Sequence, residues 1–474
     1  MYSQTYNAAT WSMNRQWMTI LAEDSKKTIT PLARRTLLSH ARRQIANVGK
    51  IKGANDAIAR YTVGAGFDPV SSVSGPEGDD MEEYFRTWSR VADLTGKNSL
   101  TDLLKIYTKS VVVDGDIGVI LTRNDQDEPR IQSVEGHHIG EGEGKDTIDG
   151  VKFDRNGAPI SYRVIEEGNK QRDVPASAFA LLYMPDRCDQ GRGVSAYAHA
   201  INNIQDELEI LGHEKAAVKL NAALAVIIKG GNPDARKAFF GNTQTTEQTV
   251  GTDQTTLTTE KILGSGAIPR IDTNEDIWSH TSDRPSAAFA GFLEFLVRDV
   301  AVGLGLPYEF VWDASKVNGT SQRFILKAAE RRFEEFQQML KGRLLDRLWF
   351  YVVGDAINRG ILPAVKGWSK VDWQNKSAMI TVDVGRESRE DRADVLAGLR
   401  SRRTHFAEQG KDYAREADQI EMEADDLLKR AKKLQDKHGV TLELAIALLE
   451  QQTANNNFPQ NGGGKSGDSK GANQ

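Results

Sequence analysis

A single cysteine, Cys188, stands in 474 residues. A lone thiol can form neither an internal disulfide nor a cysteine-based zinc site, so a reducing compartment is the expectation. No apolar run approaches the roughly 18 residues of a membrane span. The N-terminus lacks a signal-peptide pattern, because Asn14, Arg15 and Gln16 interrupt the apolar stretch around them. These absences predict a soluble protein made in the cytoplasm, with no membrane partner. A basic excess is missing too: 61 Lys+Arg against 66 Asp+Glu leave a formal charge of −5. A dedicated tight DNA binder carries the opposite balance, since affinity comes from neutralising phosphates. No internal repeat is visible. What is present is an ordinary globular composition, 39% apolar with 42 glycines, which excludes a disordered or collagen-like chain over most of the length.

Hydrophobic spacing organises the chain. Residues 31–62 read as helix: Pro31 suits a first turn after Thr30, and Leu38, Ile45 and Val48 give partial helical spacing. Further helices are expected over 80–94 and 99–113. From 115 to 185 the pattern turns to short β-rich runs at 117–122, 151–153, 160–165 and 179–184, with turns at Asn156-Gly157 and Glu167-Gly168. Helix returns over 191–220, where Ser195 can cap and Ile201, Ile204, Leu208 and Leu211 recur at intervals of 3, 4 and 3. Residues 222–229 read as a strand, and 241–260, rich in threonine, as a polar loop, mobile or hairpin-like. Pro285 opens a helix that Gly303, Gly305 and Pro307 stop. A long helix follows over 321–358. Residues 385–435 are charge-dense and helical, and a last helix spans 441–452. The Gly/Ser/Lys-rich end is expected to be disordered.

Several patterns invite a chemical reading. Gly193-Val194-Ser195-Ala196-Tyr197 nearly matches the nucleophile elbow G-x-S-x-G, but Tyr197 replaces the closing glycine, and a helix N-cap is the better reading for Ser195. Gly464-Lys465-Ser466 resembles the end of a P-loop, yet Pro459 occupies the opening glycine position and no strand precedes it. His137-His138 lies near Glu135, Glu141 and Glu143; adjacent strand histidines face opposite ways, which favours a surface hairpin over a metal site. Asp114 and Asp116 flank Gly115 and could share a face, but no third carboxylate supports a metal, so a turn is favoured. The doublets Arg34-Arg35 and Arg42-Arg43, eight residues apart, share roughly one helical face. They read either as nucleic-acid contacts or as a solvated or inter-subunit ion-pairing face.

Longer stretches resemble a known family. The text at 32–69, LARRTLLSHARRQIANVGKIKGANDAIARYTVGAGFDP, is similar to the opening of lambda-like tailed-phage portal proteins. The similarity continues through 88–121, 150–164 and 183–196. Its most specific stretch is 292–340, with Leu304-Gly305, Asn318, Thr320-Ser321 and Arg323 in the family's order of turn, Asn-centred loop and helix arginine. Gly319 departs from the pattern, standing where members often carry an aromatic.

The resemblance implies an α+β, multi-domain portal fold. It comprises an N-terminal arm (1–30), a wing of helices plus a small antiparallel β region (31–190), stem helices at 191–221 and 284–306, and an α/β clip insert between them (222–283). A tunnel loop (307–321), a long helix returning to the wing (322–385), an α-helical crown (386–455) and a disordered tail (456–474) complete it. It implies a homo-oligomeric ring, usually of twelve subunits, at one capsid vertex of a virion assembled in the host cytoplasm. Such a ring conducts double-stranded DNA without sequence preference during packaging and ejection. It meets the terminase large subunit, the major capsid protein and scaffold, and head-completion or adaptor proteins. No cofactor, metal or catalytic residue is implied. The tunnel-loop residues are Trp312, Asp313, Ser315, Lys316, Val317, Asn318, Gly319 and Thr320. Candidates for DNA-facing or interface cations are Arg34, Arg35, Arg42, Arg43, Lys229, Lys261, Arg270 and Arg323. Two alternatives compete: a metal-dependent or serine hydrolase or nuclease using Ser195 or Asp114/Asp116, and a helical scaffold or adaptor without a DNA channel.

Overall fold

The computed structural model describes residues 23–140, 146–224, 244–249, 256–262, 266–269, 287–312, 319–375, 384–408 and 413–456. It begins with a single helical turn, α1 (Ser25–Thr28), and then α2 (Pro31–Asn47). Pro31 is the first helical residue of α2, and the Thr30 hydroxyl accepts from the Ala33 amide at 3.2 Å, the expected N-terminal device. The single helix expected over 31–62 is two helices, because Val48 is extended (φ −117°, ψ 102°) between α2 and α3 (Gly49–Val63). Strand β1 (Phe67–Ser71), α4 (Pro76–Ser89) and α5 (Leu100–Asp114) follow. Ser99 and Asp102 form a reciprocal capping box at the start of α5.

The next elements are six strands and the turns between them. β2 (Asp116–Arg123), β3 (Pro129–Glu135) and β7 (Phe179–Tyr183) make one antiparallel sheet in the order β3-β2-β7. β4 (Val151–Phe153), β5 (Pro159–Ile165) and β6 (Gln171–Pro175) make a second, in the order β4-β5-β6. Helix α6 (Ile201–Leu224) precedes the strands β8 (Gln244–Thr249), β9 (Thr256–Ile262) and β10 (Gly266–Pro269). β8 and β9 pair antiparallel, so the threonine-rich stretch is a hairpin. Residues 222–224, expected as the start of a strand, end α6 instead; 225–229 lie outside the described residues. Then come α7 (Ala287–Gly303), α8 (Tyr308–Val311), α9 (Gly319–Leu340), a π-helical turn Lys341–Leu345, α10 (Asp346–Asn358) and β11 (Val371–Asn375), which pairs with β1.

Two cores hold this part together. The larger gathers helices α2 to α5, α9 and α10 on one face of the first sheet, around Phe85, Tyr107, Phe336 and Trp349, each nearly fully buried. The Trp349 indole donates to the Trp368 carbonyl at 2.7 Å, and Trp373 donates to Asp346 at 2.8 Å, so these large rings satisfy their polar edges. The smaller core lies between the two sheets, where Tyr162 stacks on Phe179 at 4.4 Å. A separate C-terminal unit contains α11 (Val384–Leu396), α12 (Arg402–Glu408), α13 (Tyr413–His438) and α14 (Leu442–Asn456). Mixed helices and small antiparallel sheets thus match the expected class.

Candidate functional site

The most strongly built polar site is a closed ring of four buried charges. Arg192 donates from Nε to Asp116 Oδ2 at 2.6 Å and from Nη2 to Asp116 Oδ1 at 2.9 Å. Its remaining N–H groups reach the carbonyls of Ile139, Asp149 and Gly136 at 3.0, 2.7 and 2.8 Å. All five guanidinium donors are therefore used. Arg34 grips the Asp149 carboxylate bidentately at 2.5 and 3.1 Å, and its Nη1 lies 3.9 Å from Asp116. Arg192 Nη1 stands 3.8 Å from the Asp149 carboxylate, which closes the ring. Two positive and two negative charges cancel in a place that none could occupy alone. Burial pushes the Asp149 carboxyl up, but the Arg34 hydrogen bond and the nearby Arg192 charge outweigh it and hold the group below its ordinary range. Burial opposes the Arg192 charge, yet the Asp116 carboxylate raises its pKa on balance.

This knot joins α2, the start of β2, the turn before β4 and the segment leading to α6. The chain folds that way locally because two backbones come very close: a side chain at Gly193 would strike the Gly115 carbonyl, and one at Gly115 would strike Val194. Arg192 sits between glycines 191 and 193 in the sequence. That signal was available, and its role was not read from it.

The arginine doublets separate by side. Arg34 was expected as a DNA-facing or interface cation, and the structure corrects this: it is 1% exposed and faces the subunit interior. It shares the buried face of α2 with Leu38, Ala41 and Gln44. Arg42, on the same side, is half-buried and binds Asp114 at 2.6 Å and Glu135 at 2.7 Å; it is tied within the subunit. Arg35 and Arg43 are exposed. Asp114 and Asp116 do flank a turn, and each carboxylate is held by a different arginine.

Ser195 does not cap the long helix, which begins at Ile201. Its hydroxyl accepts from the Tyr197 amide at 3.2 Å, within a turn ahead of α6. The histidine pair occupies a 3-10 turn, Gly136–His138, rather than a strand, and its rings lie 4.1 Å apart. His138 Nδ1 bonds the Ile165 carbonyl at 2.9 Å. Glu141 and Glu143 lie outside the described residues. Among the described residues no group of three or more His, Cys, Asp or Glu side chains could hold a metal.

The tunnel-loop residues Asp313, Ser315, Lys316, Val317 and Asn318 lie outside the described residues, as do Lys229 and Arg270. Lys261 falls in β9, Gly319 and Thr320 open α9, and Arg323 is exposed on that helix. The base from which the loop leaves is described. Trp312, 57% exposed, lies under Lys50 Nζ at 5.7 Å from its ring centre. Lys50 also pairs with Glu207 of α6. The turn at Gly305 (φ +73°) is braced from α9, where Arg332 donates to the Leu304 carbonyl at 3.1 Å and lies 4.8 Å over the Phe336 ring. Arg298 lies 5.0 Å over Tyr308. Three cations thus hold aromatic rings around one loop base. The start of α6 meets the end of α7, since Asn203 donates to Asp299 at 2.6 Å; the two helices pair antiparallel, with β8 to β10 between them in sequence.

Comparison with known proteins adds the family. Three solved structures are similar at low identity. One is the neck of an empty GTA particle computed with C6 symmetry, at 13% identity and TM-score 0.46, with 80% of this chain and 94% of that one covered. Another is the neck of a native GTA particle computed with C12 symmetry, at 14% and 0.44, with coverage of 79% and 92%. The third is an HK97-family phage portal protein from Corynebacterium diphtheriae, at 12% and 0.27, with coverage of 73% and 99%. The sequence profile described as phage portal protein, lambda family, matches residues 11–337. With that match spanning most of its length, the chain belongs to the lambda family of phage portal proteins.

Proposed function

We propose that the chain closes into a homo-oligomeric ring of about twelve copies at one capsid vertex, conducts double-stranded DNA in packaging and ejection, and offers a docking platform for terminase and head-completion proteins. The family match over residues 11–337 carries this reading. On it, α6 and α7 are the stem, the strands between them the clip, 307–321 the tunnel loop, and the C-terminal helices the crown. The role is structural rather than catalytic.

The charge balance supports a conduit. Each copy brings a formal −5, and a ring multiplies it. A strongly basic wall would hold DNA by counterion release and brake its movement. A wall acidic on balance, with isolated cations such as Lys316, guides a duplex without gripping it. The Lys50–Trp312, Arg298–Tyr308 and Arg332–Phe336 contacts suit a loop that must keep a fixed base while its tip meets moving DNA. Electron-microscope averages of the purified protein test this directly. Views down the symmetry axis should show a pierced ring; solid particles or filaments would refute it.

A further inference from the structure

Charge is segregated near the start of the chain. Residues 31–63 hold seven Lys or Arg against one acid, and residues 64–85 hold six acids and no base. The subunit uses three of the bases itself: Arg34 on Asp149, Arg42 on Asp114 and Glu135, and Lys50 on Glu207. The one acid, Asp56, pairs with Lys109 of α5. Arg35 and Arg43 of α2, with Lys52 and Arg60 of α3, are exposed and form no ion pair among the described residues. Of the acids, Arg86 holds Asp68 and Glu82. Glu77, Asp79, Asp80 and Glu83 of α4 are exposed, and among the described residues only Glu83 has a salt bridge, to Arg86 at 3.5 Å.

Other exposed helices of the chain interleave the two signs, as in Lys327–Glu330 and Arg332–Glu335 on α9 and Lys429–Asp425 and Arg430–Asp426 on α13. Helix α2 has no acid at all. Helix α4 sets Asp79 four residues before Glu83, a like-charge spacing that costs a helix stability. Glu77 and Asp79 lie in the first turn, where the helix dipole favours acids; Asp80 and Glu83 lie beyond it and gain less. The subunit does not bring the two faces together, since α2 packs on α3, α5 and α6, and α4 packs on β1 and α10. Each face therefore stays one-signed and unrelieved in a lone copy.

We propose that the Arg35–Arg43 face of α2 in one copy meets the Asp80–Glu83 face of α4 in the next copy around the ring. One contact then neutralises both faces. A DNA duplex would neutralise α2 alone and would be repelled by α4. The faces differ, so the contact is heterologous and propagates from copy to copy, as closure into a ring requires. This inference rests on the ring reading.

Charge reversal in the full-length chain tests it. Two charges are reversed in each variant, because a single exposed ion pair contributes little. All four positions are exposed, so R35E/R43E and D80K/E83K should keep the parent's circular dichroism. By light scattering at physiological salt, each variant alone should fall from ring mass to subunit mass. An equimolar mixture of the two should form rings again: in alternating order the reversed α2 of one meets the reversed α4 of the other, and the native faces meet at the next contact. A chain carrying all four reversals should also assemble. Rings of parent mass from either variant alone would overturn the proposal. So would a mixture and a four-fold variant that both stay unassembled. Rings of R35E/R43E that close normally but no longer bind a labelled duplex would give α2 to DNA, and overturn it as well. All three results leave the ring itself standing. A parent chain that is monomeric would defeat the ring reading and the proposal together.

Discussion

Arg192→Lys is the sharpest perturbation of the subunit. Arg192 spends five N–H groups on one buried carboxylate and three carbonyls. Asp116 is fully buried and keeps, besides Arg192, the Gly193 amide at 2.9 Å and a distant Arg34 nitrogen. A lysine restores the charge but has three donors on a flexible stem and no planar fork. It therefore leaves a carbonyl or a carboxylate oxygen unpaired. Breaking a buried pair costs about 3–5 kcal/mol when one partner is removed; the lysine should recover only part of this. At about 1–2 °C per kcal/mol for a unit that spans Met1–Trp373, Arg192→Ala should lower the melting temperature by roughly 3–10 °C, and Arg192→Lys by at least half as much. Melting must be compared at one protein concentration, because assembly shifts the midpoint. An Arg192→Lys protein melting within about 1 °C of the parent would refute the claim that the bidentate geometry, rather than charge alone, holds the knot.

Three further outcomes are expected. Arg34→Met should destabilise by about 3 kcal/mol or more, since Asp149 is left buried, whereas Arg43→Ala on the exposed side should stay within about 0.5 kcal/mol; equal effects in paired denaturation curves would contradict the separation of the doublets. Asp149 has a depressed folded pKa, so its contribution is complete above its unfolded value of about 3.9 and is lost as pH falls through that value and the lower folded one. Melting followed against pH should accordingly drop more steeply below about pH 4 for the parent than for Asp149→Asn, and parallel curves would contradict this. On the proposed reading that Lys316 lines a tunnel loop, rings of Lys316→Ala should assemble normally yet retain packaged DNA less well, because a cation acts on DNA within about 8–10 Å at physiological salt; retention equal to the parent in a nuclease-protection assay would remove Lys316 from the account.

The helices were legible because their apolar spacing, caps and stops are local. Pro31, Ser99 and the glycines after 302 mark ends that the structure keeps, within a few residues. The strands were most legible where apolar runs are continuous, as at 117–122 and 179–184. β3 (PRIQSVE) and β6 (QRDVP) escaped notice because each alternates apolar with polar or charged residues and borrows its stability from a partner strand; β1 and β11 pair across some 300 residues of sequence. The charge knot was hidden for a related reason. Nothing local to Arg34 says that it is buried. That depends on Asp149 and Arg192, more than a hundred residues away, and on the glycine contact that brings them in. The loop base was half legible: Gly305 and Pro307 mark the stop, but the cations over its rings come from α3, α7 and α9.

The solution mass of the purified chain, measured by light scattering after size exclusion, tests the central claim most directly. The account predicts a particle of about twelve times the 52.4 kDa subunit, stable on dilution. A stable single 52.4 kDa species across the same concentrations would contradict it.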